Sequence, residues 1–164
     1  MCFLKIGDFF RRISHPFGSK ANKELRDSVG ILPTDADIAK SAHYSRVLFV
    51  GVDGAGGYFD CCDTPNFDRV FGSGSKTYRG ISQRPTVSAH NWTSMIHGVR
   101  FQRHHIDNEI ASRAAYTDDR YPSVIRLCAE SDPDAGFVSV HTWTAINKGI
   151  VENMDCVTKF NGGE

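Results

Sequence analysis

Val47, Leu48, Phe49 and Val50 form an unbroken apolar run that leads straight into the glycine-rich segment Gly51-Val52-Asp53-Gly54-Ala55-Gly56-Gly57. An apolar run without alternation predicts a strand covered on both faces, as in a parallel sheet, because a half-exposed strand would alternate apolar with polar residues. The glycines then let the backbone turn sharply at the end of that strand. Thr64-Pro65-Asn66 supplies a capping residue and a proline at the first helical position, with Phe67 and Val70 three apart. This predicts a helix as far as Gly72-Ser73-Gly74. Tyr78 to Ser82 reads as a second strand, a helix starts near Ser88, another covers Ser123 to Glu130, and the β-branched content of Gly136 to His141 predicts a strand. Strand and helix alternate, so the expected architecture is α/β with a mainly parallel sheet.

A chain of 164 residues is long enough for one domain with its own core. That domain is expected over 45–164, after an N-terminal helical extension at 1–44. Within the extension, Phe3, Leu4, Ile6, Phe9, Phe10 and Ile13 recur at helical spacing, with Arg11 and Arg12 toward the C-terminal end and His15-Pro16-Phe17-Gly18 as a stop. Thr34 to Asp37 looks like a helix cap ahead of Ile38 and Ala39. Lys and Arg number 19 and Asp and Glu number 19, scattered along the chain, so no net field draws it to nucleic acid. No apolar run approaches the roughly 18 residues of a membrane span, and Lys5 and Asp8 interrupt the apolar start, which does not have the form of a secretory signal. Cys2, Cys61, Cys62, Cys128 and Cys156 are odd in number, without a CxxC, and include a vicinal pair ill suited to bridging itself; a reduced, cytoplasmic chain is the simpler expectation.

Chemistry in open parallel sheets gathers at the carboxyl ends of strands, where helix N-termini point to the same edge. Asp53 stands at such an end, although an aspartate there also serves as a plain turn residue. The glycines do not give GxGxxG, and in Phe71-Gly72-Ser73-Gly74-Ser75-Lys76-Thr77 a serine stands where a phosphate loop needs glycine beside lysine, which argues against nucleotide binding by either motif. The segment Pro85 to Gly98 is more informative. Ser88 is placed to begin a helix, either as a simple N-cap or as a hydroxyl whose surroundings favour an alkoxide or phosphate. Asn91, one turn later, can donate to the same anion.

FVGVDGAGGYFD, TPNFDRVF, PTVSAHNWTSMIHGV and HHIDN follow one another at separations that resemble the N-terminal half of the type I phosphodiesterase/nucleotide pyrophosphatase branch of the alkaline phosphatase superfamily. The resemblance spans about residues 46–108, with weaker likeness through Trp143 and Asn147. It implies a three-layer sandwich around a mainly parallel sheet, and a site with two divalent metals, zinc in this family. It also implies a phosphate-ester or nucleotide substrate cleaved at a phosphodiester or pyrophosphate bond. By the same resemblance Asp53 is a metal ligand, Ser88 the nucleophile that bridges toward that metal, and Asn91 a phosphoryl-oxygen donor. His104 is similar to the histidine of an HG-x-x-x-N element, but His105 stands where that element has glycine and Asn108 falls one residue short; the element is read as structural. A serine hydroxyl is a poor nucleophile at neutral pH, and a coordinated cation lowers the pKa of a bound oxygen, so metal contact and a helix N-terminus would together supply the activation.

A two-metal site needs more ligands than one aspartate, and after residue 108 no Asp-His-Gly cluster follows. His141, Asp118, Asp119 and Asp155 fit no ligand pattern and are expected at the surface or in packing. No C-x-P-x-R or S-x-P-x-R segment points to a sulfatase. Two functional classes follow: an enzyme whose remaining ligands lie in a C-terminal part outside this sequence, or a catalytically incomplete fragment that acts as a binding or interaction module.

Overall fold

The computed structural model describes residues 46–72, 74, 77 and 80–163. The expected helix over 3–13 and the cap at 34–37 lie outside the described residues. Helix α1 (Pro65–Phe71) carries proline in its first turn and follows Thr64, as the sequence predicts. The Thr64 side chain makes no cap bond to the backbone; its hydroxyl faces Asp68 Oδ2 at 3.4 Å. Phe67 of α1 stacks on Phe59, with ring centroids 4.6 Å apart, and so joins α1 to the 3-10 turn Tyr58–Asp60.

Helix α2 (Ser88–His97) ends at Gly98, whose φ of 67° is the left-handed conformation glycine adopts at no steric cost. The short helix α3 (Phe101–His104) follows, then α4 (Asn108–Arg113), capped by Asp107 through Ile110 N–H at 2.8 Å. Helix α5 (Val124–Ser131) starts where Ser123 Oγ accepts from Arg126 N–H at 3.0 Å. Strand β1 (Phe137–His141), helix α6 (Thr144–Gly149) and strand β2 (Val157–Asn161) form a crossover unit in which β1 and β2 pair in parallel, from Phe137 opposite Val157 to His141 opposite Asn161. Buried Asn147 locks this unit: its Nδ2 donates to Phe160 O at 2.9 Å and its Oδ1 accepts from Ser139 Oγ at 2.6 Å.

The main core lies where α2, α4 and α6 meet, and is built from Ala89, Ile96, Ala111, Ala145, Ile146, Ile150 and Val151, with Trp92 and Trp143 packed against it. Small residues permit a close helix crossing. A Cβ on Gly149 would stand 2.3 Å from the Ala111 carbonyl oxygen. His97, at the end of α2, ties the core to two loops through the carbonyls of Tyr121 (2.7 Å) and Ile150 (2.8 Å). A second cluster of Cys128, Ala135 and Phe137 sits under α5, and Val47 packs on it.

The architecture is therefore mixed α/β, with six α-helices and a two-stranded parallel sheet among the described residues. Two strand expectations differ from it. Of the run 47–50, only Val47 makes a bridge, while Leu48 and Val50 are 84% and 71% exposed. Apolar side chains favour a strand only where a neighbouring ladder takes the backbone groups and a layer covers the side chains, and this stretch has neither among the described residues beyond Val47. Of the strand expected at 78–82, Tyr78 and Arg79 lie outside the described residues; positions 80–82 form no strand, and Ile81 is exposed. Among the described residues no helix is long and apolar enough to cross a membrane.

Candidate functional site

Ser88 is the first helical residue of α2, and the extended residue before it, Val87, occupies the cap position without a side-chain cap bond. The hydroxyl thus stands at a helix N-terminus whose backbone N–H groups and positive dipole end favour negative charge. One of those N–H groups is satisfied from outside the helix: Ala89 N–H donates to Asn108 Oδ1 at 2.9 Å. Ser88 Oγ donates to Asp53 Oδ2 at 3.1 Å across a sequence separation of 35. Asp53 lies in the turn after the 47–52 run, flanked by Gly54 and Gly56 with φ of 71° and 53°. The structure therefore brings together the two residues that the sequence singles out as nucleophile and metal ligand. Ser88 is half-buried and Asp53 exposed, so the pair is open to solvent.

Asn91 makes its hydrogen bonds to the loop before α2. Its Oδ1 accepts from Gln83 N–H at 2.7 Å, and its Nδ2 faces the carbonyls of Val87 (3.1 Å) and Gln83 (3.4 Å). Both ends of the amide thus hold the 83–87 loop ahead of Ser88. The physical reason is local: this tight loop offers a backbone donor and carbonyl acceptors at hydrogen-bond distance, and an asparagine one turn into the helix matches them.

Two residues at the site escaped sequence reasoning. Trp92 donates its indole N–H to Asp53 Oδ2 at 3.3 Å. Its position four residues after Ser88 places it on the same helix face, which is the one signal that could have revealed it. Gln83 joins the loop to α2 and α3 through Ser94 Oγ and Phe101 N–H (3.1 Å). Asn108 was read only as structural, and its contact with Ala89 N–H shows which structure it serves.

His104 is buried. Its Nδ1 accepts from Ile106 N–H at 2.9 Å, and its Nε2 faces Ser94 Oγ at 3.0 Å and the His90 carbonyl at 3.3 Å. Burial pushes its pKa down from 6.5 to about 4, so the ring is neutral near pH 7. The residue after it, His105, has φ of 56°, the left-handed region that glycine prefers, at the position where the resembled element has a glycine.

The four remaining candidates are occupied or apart from the pair. Arg120 forks onto Asp118 at 2.9 and 2.8 Å and holds its carboxyl below the ordinary value, Asp119 pairs with Arg126, His141 Nε2 contacts Ser139 Oγ at 3.0 Å, and Asp155 is exposed. Among the described residues no group of three or more His, Cys, Asp or Glu side chains could hold a metal ion. No family model, curated protein or solved structure matches the chain. What remains at the site is the Ser88–Asp53 pair. Its two oxygen donors suit one edge of a divalent cation's shell, since carboxylate and hydroxyl oxygens are hard ligands.

Proposed function

We infer that the chain carries the nucleophile side of a metal-dependent phosphate-ester hydrolase, with phosphodiester or nucleotide pyrophosphate bonds as the target. The observation that carries this reading is the 3.1 Å hydrogen bond from Ser88 Oγ at the start of α2 to Asp53 Oδ2. Ser88 directs its proton at the carboxylate, which leaves the oxygen lone pairs for phosphorus, and the N-terminus of α2 faces the negative charge that an attacked phosphoryl group brings. Attack forms the Ser88 Oγ–P bond and breaks the P–O bond to the leaving group, which departs with a proton; water then releases the phosphoryl group from Ser88. Asp53 and Ser88 would hold a divalent cation, zinc by the resemblance, and the ion would supply Lewis-acid stabilisation of charge on oxygen.

Further features support the resemblance behind this reading. Asn108 touches the first turn of the nucleophile helix, and His105 adopts a glycine conformation where the family has glycine. The sheet supports the finer architecture, a three-layer sandwich with a larger parallel sheet. Val138, Val140 and Phe160 point to one face, since alternate residues share a face and Val140 pairs with Phe160, and all are exposed. A parallel sheet in a sandwich has both faces covered.

The test uses orthovanadate, which mimics the five-coordinate phosphorus of the transition state. Vanadate should bind the chain in the presence of a divalent cation, and Ser88→Ala and Asp53→Asn should each abolish binding while retaining the fold. Equal binding by wild type and Ser88→Ala would overturn the reading. The second reading is a catalytically incomplete interaction module. It predicts no Ser88-dependent vanadate binding by the 164-residue chain.

A further inference from the structure

An aspartate in an exposed turn between glycines has little to fix its side chain, and a serine hydroxyl that rotates freely does not fix it either. Trp92 does. Its side chain is half-buried and packs against the α2–α4–α6 core. From there it makes two contacts with one short segment. Its Nε1–H donates to Asp53 Oδ2 at 3.3 Å, the oxygen that also accepts from Ser88. Its six-membered ring lies so close to Gly51 that a Cβ there would stand 2.3 and 2.6 Å from two ring carbons. The first contact is polar and the second steric, and together they set residues 51–53 against the face of α2 that carries Ser88, one helical turn before Trp92.

We propose that Trp92 is the positioning residue for Asp53, holding its carboxylate at the Ser88 hydroxyl for cation binding, and that Gly51 is the residue whose missing side chain admits the indole. The proposal rests on the hydrolase reading for its purpose, and on the Trp92 geometry for its contact. A ligand's hydrogen-bond partner outside the metal shell is worth about 10- to 100-fold in metal affinity. Trp92 is proposed in that role.

Two measurements on the full 164-residue chain test it. Mn²⁺ is the probe ion, because its preference for oxygen ligands keeps it from the exposed thiols of Cys61 and Cys62. Free Mn²⁺ is followed by electron paramagnetic resonance. Trp92→Phe keeps an aromatic ring and removes the N–H, and should weaken Mn²⁺ binding about tenfold with the thermal midpoint little changed; Gly51→Ala, which displaces the ring, should weaken it at least as much. In parallel, ¹⁵N-indole spectra resolve the two tryptophans, assigned through Trp143→Phe. Asp53→Ala should move the Trp92 Nε1–H signal and leave that of Trp143 in place. Equal Mn²⁺ affinity in wild type and Trp92→Phe, with binding lost in Asp53→Ala, overturns the positioning role and leaves the hydrolase reading standing. Absence of Mn²⁺ binding by wild type overturns the reading that Asp53 and Ser88 hold a cation in this chain. The indole signal then decides Trp92 separately: unmoved by Asp53→Ala it overturns the positioning role, and displaced it upholds it.

Discussion

His104 Nδ1 accepts the backbone N–H of Ile106 at 2.9 Å, a contact that only an unprotonated Nδ1 can make. The ring is buried, and burial lowers its pKa from 6.5 to about 4. In the unfolded chain the ring takes up a proton as pH falls through about 6.5. The folded chain resists until about 4. Between these values the unfolded state binds more protons, so stability is fully present above 6.5 and declines as pH falls toward 4. Urea midpoints measured across this window should fall with acidification in wild type and show a shallower slope in His104→Gln. An unchanged slope in the variant would assign the acid sensitivity to other groups.

Gly149 of α6 lies against the backbone of Ala111 in α4. A methyl group on Gly149 would stand 2.3 Å from the Ala111 carbonyl oxygen and 2.5 Å from its Cα, all backbone atoms that cannot swing aside. Gly149→Ala should therefore lower unfolding stability by roughly 1–3 kcal/mol or more, the usual cost of overpacking. Gly136→Ala, where an added Cβ meets nothing within 4 Å, is the control and should shift stability by no more than about 0.5 kcal/mol. Chemical denaturation of both variants checks the contrast, and a Gly149→Ala chain as stable as the control would refute the close crossing.

His105 holds a left-handed conformation that costs an L-residue roughly 1–2 kcal/mol. His105→Gly removes that cost, and the greater freedom of glycine in the unfolded chain offsets part of the gain. The thermal midpoint of His105→Gly should equal or exceed that of wild type, by at most about 1 kcal/mol in stability. His105→Val, β-branched and ill suited to positive φ, should melt lower. Identical midpoints for the two variants would show that the position imposes no left-handed demand.

Ser88 begins α2 without capping it, so Ser88→Ala should change stability by less than about 1 kcal/mol. Asp53→Asn, at an exposed turn, should do the same. If the hydrolase reading holds, both should nonetheless lose vanadate binding. Asn91→Ala has the opposite profile, since it leaves the Gln83 N–H without its 2.7 Å acceptor and should cost about 1–3 kcal/mol. Melting curves beside vanadate titrations check all three variants. A Ser88→Ala chain that melts far below wild type would make Ser88 a structural residue.

Several elements were legible because their signals act over a few residues. Pro65 after Thr64 marks the start of α1, Ser123 caps α5, and the β-branched pattern of 137–141 gives β1. Ser88 at the start of α2 was legible for the same reason, as a polar residue soon after Pro85. Strand β2 was not, because Val157–Asn161 mixes Thr, Lys and Asn and becomes a strand through pairing with β1. The run 47–50 erred the other way, with a strand pattern that finds only the bridge at Val47 among the described residues.

The sequence by itself determined where α1, α2, α5 and β1 begin, because caps, proline's fixed φ and side-chain periodicity are properties of neighbouring residues. It also put Asp53 and Ser88 forward as residues whose chemistry belongs together. Only the tertiary structure decided that they meet, that Trp92 donates to the same carboxylate oxygen, and that Asn108 reaches the first turn of α2 while Asn91 turns to its own loop. Those contacts span sequence separations of up to 39 and depend on how α2 packs into the core and how the turn at Asp53 lies against it. No local propensity encodes a distance between side chains so far apart; packing sets it.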